Sequence, residues 1–432
     1  MSEASLNRTG NLRLYNNLSQ RLEPFSTRDD AVTIYVCGVT PYDTTHLGHA
    51  FTYVSYDLLI RHLESKGLTV RYVQNVTDID DDVLQKARQV GEDWRALGDR
   101  WTAHFIRDMQ SLNVRPPDYY PRATEFIPQM LMIIQGLIDR GFAYASGGSV
   151  FFHIDACPTY GKLSRMPRQE MLVTANERGN RADDPRKRDP LDFVLWQAEA
   201  PDEPAWGSPW GPGRPGWHIE CSTMATILLG NTIDIHGGGA DLLFPHHESE
   251  IAQSECATGE NPFVRFWLHT AMVRYQGEKM SKSLGNLILV RDLLESWSPD
   301  AIRLYLLSHH YHDAWSHDDD ELARARESAN KLLAAVQAVG GPGAQFDPEG
   351  AWANFTSALG DDLDSPTAIT TAERLAEQAL AAADNGNDVS GAQAVLRRMG
   401  QVLGLRLDSP TPERRVMSGW DEHLRRFVPG ER

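Results

Sequence analysis

The chain has 432 residues, 41% of them hydrophobic and 23% charged, an ordinary globular balance with room for two or three domains. Its 59 acidic against 42 basic side chains give a formal charge of −17, which excludes a surface that clings to phosphate everywhere but not a local basic groove. The sequence has no apolar run of the roughly 18 residues that cross a bilayer and no apolar signal core near its start, so a cytoplasmic protein without membrane contact is expected. The four cysteines, Cys37, Cys157, Cys221 and Cys256, lie too far apart for a disulfide framework; packing, metal binding or catalysis is the expected use of their thiols.

In chain order, residues 32–39 read as a buried strand ending near Gly38, residues 50–65 as a helix closed by Gly67, and residues 68–76 as a second strand. This strand–helix–strand unit predicts an α/β fold with a Rossmann-like, doubly wound parallel sheet and a ligand site at the strands' C-terminal ends. Residues 82–145 carry mostly helical pattern, and the Pro-, Gly- and Arg-richer stretch 150–215 reads as an irregular insertion. Between Arg165 and Arg188 that stretch holds seven basic and four acidic residues, a solvated loop or a basic groove. Sheet signals return near 231–236 and 266–273, and amphipathic helices fill 299–339 and 349–405 around the breaker Gly340-Gly341-Pro342-Gly343. The expected division is a catalytic domain over 1–298 with an insertion around 115–215, a helical domain over 299–405, and a tail over 406–432 with one short helix near Trp420–Phe427.

Three groups of residues carry chemistry. His46-Leu47-Gly48-His49 stands between a strand and a helix, where two imidazoles and free N–H groups at the helix start suit phosphate oxygens. Lys279-Met280-Ser281-Lys282-Ser283 places two lysines three apart, able to neutralise charge building on a pyrophosphate leaving group. In isolation each is explained as well by an ordinary surface segment. The third group is metal-like: His246 and Glu250 fall at i and i+4 on one helix face, and Cys221 and Cys37 are candidate thiolates for a tetrahedral zinc ion. From spacing alone, core cysteines and a surface histidine pair are as good an explanation.

The first two groups, in this order, resemble the HIGH and KMSKS signatures of class I aminoacyl-tRNA synthetases. The segments Tyr35–Thr40, Asn75–Asp81, Gly216–Ser222, Asp234–Asp241, Phe244–Gln253 and Lys279–Asn286 are similar to cysteinyl-tRNA synthetase, and the likeness runs from about Leu14 to Leu405. It implies one zinc ion held by Cys37, Cys221, His246 and Glu250 that coordinates the substrate thiolate. It also implies a cysteine pocket with Cys37, Trp217 and His236, and an adenylate site with Gly38, Thr40, His46, His49, Thr52, Asn75, Thr77, Gly239, Asp241, Val273 and Lys282, Asp241 meeting the ribose. His46, His49, Lys279 and Lys282 would stabilise charge while the cysteine carboxylate attacks the α-phosphate of Mg²⁺-bound ATP. Cys157 and Cys256 are assigned to packing.

A sister family, the mycothiol cysteine ligases, shares this chemistry but joins cysteine to glucosaminyl-inositol. Thr40–Ala50 and Asp93–Arg100 are more similar to that family; Tyr160–Ser164, Arg188–Phe193, Ser283–Asn286 and Glu250 side with the tRNA ligase. Only 27 residues follow Leu405, too few for a full anticodon-binding module. The expected function is therefore adenylation of L-cysteine with transfer to tRNA-Cys, by a monomer. The aminosugar is the alternative acceptor, and a non-catalytic cysteine- or nucleotide-binding paralogue is the alternative of another class.

Overall fold

The structure, a computed structural model, describes residues 11–42, 45–280 and 286–407. Its centre is a four-stranded parallel sheet in the order Val264–Thr270, Ile233–Gly239, Ala31–Val39, Thr69–Val76. The predicted strand–helix–strand unit is present as Ala31–Val39, Leu47–Ser65 and Thr69–Val76. Gly67 follows the helix at φ 79°, a left-handed turn that glycine adopts without strain. The doubly wound α/β class read from the sequence is therefore the observed one.

Side-chain parity along Ala31–Val39 divides the core. Val32, Ile34 and Val36 pack with the Leu47–Ser65 helix on one face, while Tyr35 and Cys37 face the opposite layer with Ile219 and Cys221 of helix Trp217–Leu229. Successive residues of a strand point to opposite faces, so this alternation puts the Cys37 thiol among the residues of the later helices.

The stretch 150–215 is more regular than its composition suggests. With Ala143–Ser146 it forms a four-stranded antiparallel sheet, completed by Ser149–Phe152, Phe193–Ala198 and Gly213–Pro215, and it includes helix Arg168–Glu177. Its strands of three to six residues are too short to show period-two patterning between prolines and glycines. Its basic residues are largely occupied within the protein: Arg168 pairs with Asp189, Arg186 with Asp184 and Arg178 with Asp241, while Arg188 lies 4.0 Å over the Tyr144 ring.

Beyond Ser298, helices Pro299–Leu307, Asp319–Gln337, Ala351–Gly360, Ser365–Asp384 and Ser390–Leu403 share one core with helix Leu47–Ser65. Ser298 caps the first of these, accepting from Ala301 N at 3.2 Å, with Pro299 at the first helical position. The expected helix near Trp420–Phe427 lies outside the described residues. No described helix is long and apolar enough to cross a membrane.

Candidate active site and metal cluster

At the C-terminal end of the sheet, Leu47 N donates to Ile288 O at 2.8 Å and Val290 N to Thr45 O at 3.1 Å, so residues 288–290 are pinned to the start of the histidine-bearing helix. A Cβ on Gly48 would lie 3.9 Å from Met280 Cε and 3.0 Å from His46 Cε1, so glycine leaves the room that the His46 ring occupies. Lys279 lies on the short strand Glu278–Lys279, and Lys282 lies outside the described residues.

His46 caps the helix with its own ring. Its Nδ1 accepts from Gly48 N at 3.1 Å and from His49 N at 3.4 Å, so these N–H groups are not free for a phosphate as the sequence suggested. With Nδ1 accepting, the proton of a neutral ring sits on Nε2, a donor for an anion. The His49 ring stacks on it at 3.8 Å.

The remaining candidates for a nucleotide site line the same strand ends. Gly38 N donates to Asn75 Oδ1 at 2.8 Å, and Asn75 Nδ2 donates to Thr77 Oγ1 at 3.2 Å. A Cβ on Gly38 would fall 1.5 Å from Asn75 O, so only glycine permits this approach of the strands. The Thr52 hydroxyl lies 2.7 Å from that of Thr270, joining the helix to strand Val264–Thr270. Thr40 follows the first strand, Gly239 ends its neighbour, and Val273 is buried on strand Val273–Tyr275. Asp241, on the single turn Ala240–Leu242, has Arg178 Nη1 3.6 Å from its carboxylate, a partner that the sequence reading did not include.

On the other face, Cys37, Cys221, His246 and Glu250 are all buried, and one ligand atom from each lies within 4.8 Å of every other. His246 Nε2 is 3.1 Å from Glu250 Oε1 across one helical turn, Cys37 Sγ is 3.6 Å from the same oxygen, and the two sulfurs are 3.8 Å apart. A tetrahedral site built with zinc bond lengths has edges of about 3.8 Å between sulfurs, about 3.6 Å from sulfur to oxygen and about 3.4 Å from nitrogen to oxygen. The donor set and its spacing fit.

A second set, Cys37, His236, His247 and Glu250, overlaps the first. It fits less well: His247 Nε2 is 3.9 Å from Glu250 Oε1, and His236 Nε2 makes a 2.9 Å hydrogen bond to Glu250 Oε2. His236, expected as a pocket wall, thus orients the carboxylate.

Histidines that the sequence reading passed over surround the cluster. His218 Nδ1 is 2.9 Å from His246 Nδ1, so ligation through His246 Nε2 leaves its Nδ1–H to donate to His218. His247 Nδ1 is 2.7 Å from His269 Nε2, and His269 Nδ1 donates to Asn17 Oδ1 at 2.9 Å. Trp217 stacks on His246 at 4.3 Å. Burial pushes the Cys37 thiol and the Glu250 carboxyl up and the His246 imidazole down, each shift disfavouring the charged form of its own group. Glu220, beside Cys221, is also fully buried, with neither carboxylate oxygen hydrogen-bonded; burial raises its carboxyl. Adjacent histidines in Pro245-His246-His247 and the run Trp217-His218 hinted at this cluster, but not at which ring faces inward.

Residues 24–327 match the family described as tRNA synthetases class I (C) catalytic domain. A cysteine–tRNA ligase from Alkalilimnicola ehrlichii is 45% identical over 405 residues, covering 92% of this chain and 86% of that protein. The chain belongs to the cysteinyl family of class I tRNA synthetases. An L-cysteine:1D-myo-inositol 2-amino-2-deoxy-alpha-D-glucopyranoside ligase from Thermomonospora curvata is 46% identical over 361 residues, covering 83% of this chain and 86% of its own length. The fold is also similar to that of Mycobacterium tuberculosis methionyl-tRNA synthetase in complex with methionyl-adenylate, with TM-score 0.62 at 18% identity over 87% of this chain and 89% of that one. Like other members of the cysteinyl family, this chain is a ligase.

Proposed function

We propose that the protein activates L-cysteine with Mg²⁺-bound ATP as cysteinyl-adenylate and transfers the cysteinyl group to the 3′-terminal hydroxyl of tRNA-Cys. The observation that carries this reading is the buried Cys37–Cys221–His246–Glu250 cluster, set beside the paired signature segments. These four residues would hold zinc. When bound, zinc supplies a borderline-soft centre that prefers a thiolate to a neutral hydroxyl, a distinction between cysteine and serine that shape alone makes poorly. Trp217 stacks on one ligand and His236 aligns another, so both keep the pocket in register.

His46 and His49, with Lys279 and Lys282, stabilise charge on the transferred phosphoryl group and on departing pyrophosphate. Gly38, Thr40, Thr52, Asn75, Thr77, Gly239, Asp241 and Val273 line the adenylate, and release of Asp241 from Arg178 frees its carboxylate for a ribose hydroxyl. No protein nucleophile is needed: the cysteine carboxylate attacks the α-phosphate, and positioning with electrostatics carries the rate. The catalytic part extends to about residue 298 and the helical part from 299 to 405.

Cysteine-dependent ATP–pyrophosphate exchange tests activation; its absence with metal-loaded protein overturns the reading. The comparably similar aminosugar ligase favours a second acceptor, the amine of glucosaminyl-inositol. Glu250, which closes the tetrahedral set, supports tRNA because the sister family usually lacks it. AMP release stimulated by tRNA-Cys transcript is expected, and stimulation by the aminosugar alone would reverse the choice.

A further inference from the structure

We propose that Cys157 and Cys256 form a dithiol oxidation site whose disulfide staples the antiparallel insert to the helix that carries Glu250. Their sulfurs are 3.4 Å apart, closer than the 3.8 Å between the thiols of the metal cluster. Cys256 stands on helix Glu248–Thr258, and Cys157 follows the single turn Ile154–Ala156 of the insert. The segment after Cys157 is already docked along that helix. Lys162 Nζ pairs with Glu255 at 2.6 Å, Tyr160 Oη lies 3.5 Å from Ser249 Oγ, and Ser164 N donates to Glu248 at 2.7 Å. These contacts hold the two thiols in register without a covalent bond.

The pair is also chemically asymmetric. The Cys256 S–H donates to Cys157, and the Thr159 hydroxyl lies 3.5 Å from the same sulfur; together they hold the Cys157 thiol down at about 6. Cys256 is raised by the same hydrogen bond and then by burial. Cys157 is buried beside exposed Pro158 and Thr159, and Cys256 is half-buried, so a small reagent has a short approach.

The oxidant is a low-molecular-weight disulfide. The Cys157 thiolate attacks one of its sulfurs, the S–S bond breaks, and one small thiolate leaves. Cys256 then loses its proton to water and attacks the Cys157 sulfur of the mixed disulfide, expelling the second small thiolate. The protein dithiol is oxidised by two electrons, and the reagent is reduced to two thiols.

The test treats the zinc-loaded full chain with bis(2-hydroxyethyl) disulfide, then alkylates it and maps its peptides. A Cys157–Cys256 cross-link is expected, with Cys37 and Cys221 left unlinked. Cys256→Ser should instead accumulate the mixed disulfide on Cys157, its reduced form melting normally. The oxidised wild type should melt about 5 °C higher, reverting on reduction, because the link closes a long loop. Separate adducts on both cysteines, a link to Cys37, or a cross-link that leaves melting unmoved would overturn the proposal.

Discussion

Among the described residues, two of the buried polar clusters are built on opposite plans. In one, Arg303 donates to Asp57 Oδ2 at 2.6 Å, to Leu403 O at 2.9 Å and to Leu112 O at 2.8 Å. Asp57 also accepts from Arg61 at 2.8 Å and from Arg115 N at 2.7 Å. Gly404, at φ 72°, leaves room for the guanidinium, since a Cβ there would lie 2.2 Å from Arg303 Nη2. The protein itself supplies both charges, and the result ties helix Leu47–Ser65 to the C-terminal helices. In the other cluster, two thiols, an imidazole and a carboxylate converge with no buried Lys or Arg among the four. The first cluster is satisfied within the protein, whereas the second gathers a donor set that fits the proposed zinc ion.

Removing groups from each cluster should break or sharpen this contrast. The largest effect is expected for Cys37→Ala or Cys221→Ala: loss of bound metal by elemental analysis and a fall of about 1000-fold in cysteine-dependent exchange. Full activity without the metal would erase the distinction. Arg303→Met leaves Asp57 buried without its main partner and should cost about 3–5 kcal/mol in urea unfolding. Adding Asp57→Leu should recover part of that loss, and a double mutant worse than either single would sink the self-contained reading. His218→Ala removes the partner of a proposed ligand and should weaken zinc binding by about 10–100-fold in chelator competition.

The smallest effect concerns pH. In metal-free protein burial holds His62, His218, His236 and His269 down at about 3, against an ordinary 6.5. The unfolded chain then binds more protons than the folded one between these values, so the histidine contribution to stability is full only well above pH 6.5 and falls as pH drops through 6.5 toward 3. The raised Glu220 and Glu250 carboxyls act in the opposite sense as pH falls, so the histidine part is read at His62 alone. From pH 7 to pH 6 the wild type should lose about 0.7 kcal/mol more stability than His62→Leu in urea unfolding, and equal losses would contradict it.

Much of the parallel sheet was legible because its strands are continuous apolar runs and its first helix ends on a glycine. The short antiparallel sheet was not, since Gly213–Pro215 and Ser149–Phe152 are too brief to show a period. The proposed metal ligands came from family resemblance, and the structure brings the four residues together. Spacing could not choose between a ligand set and ordinary core cysteines, because Cys37 and Cys221 are 184 residues apart. Arg303 looked like any charged residue in an amphipathic helix, although the structure buries it completely.

By itself the sequence determined the class of fold, the two signature segments and the residue types able to bind a thiophilic metal, since these depend on local pattern and side-chain chemistry. Only the tertiary structure decided that Cys37, Cys221, His246 and Glu250 come within reach of one another, that His46 uses its own Nδ1 to cap the helix, and that Arg303 closes a knot within the core. Each of these depends on distances between segments far apart in the chain, which strand parity and helix packing set and no local pattern encodes.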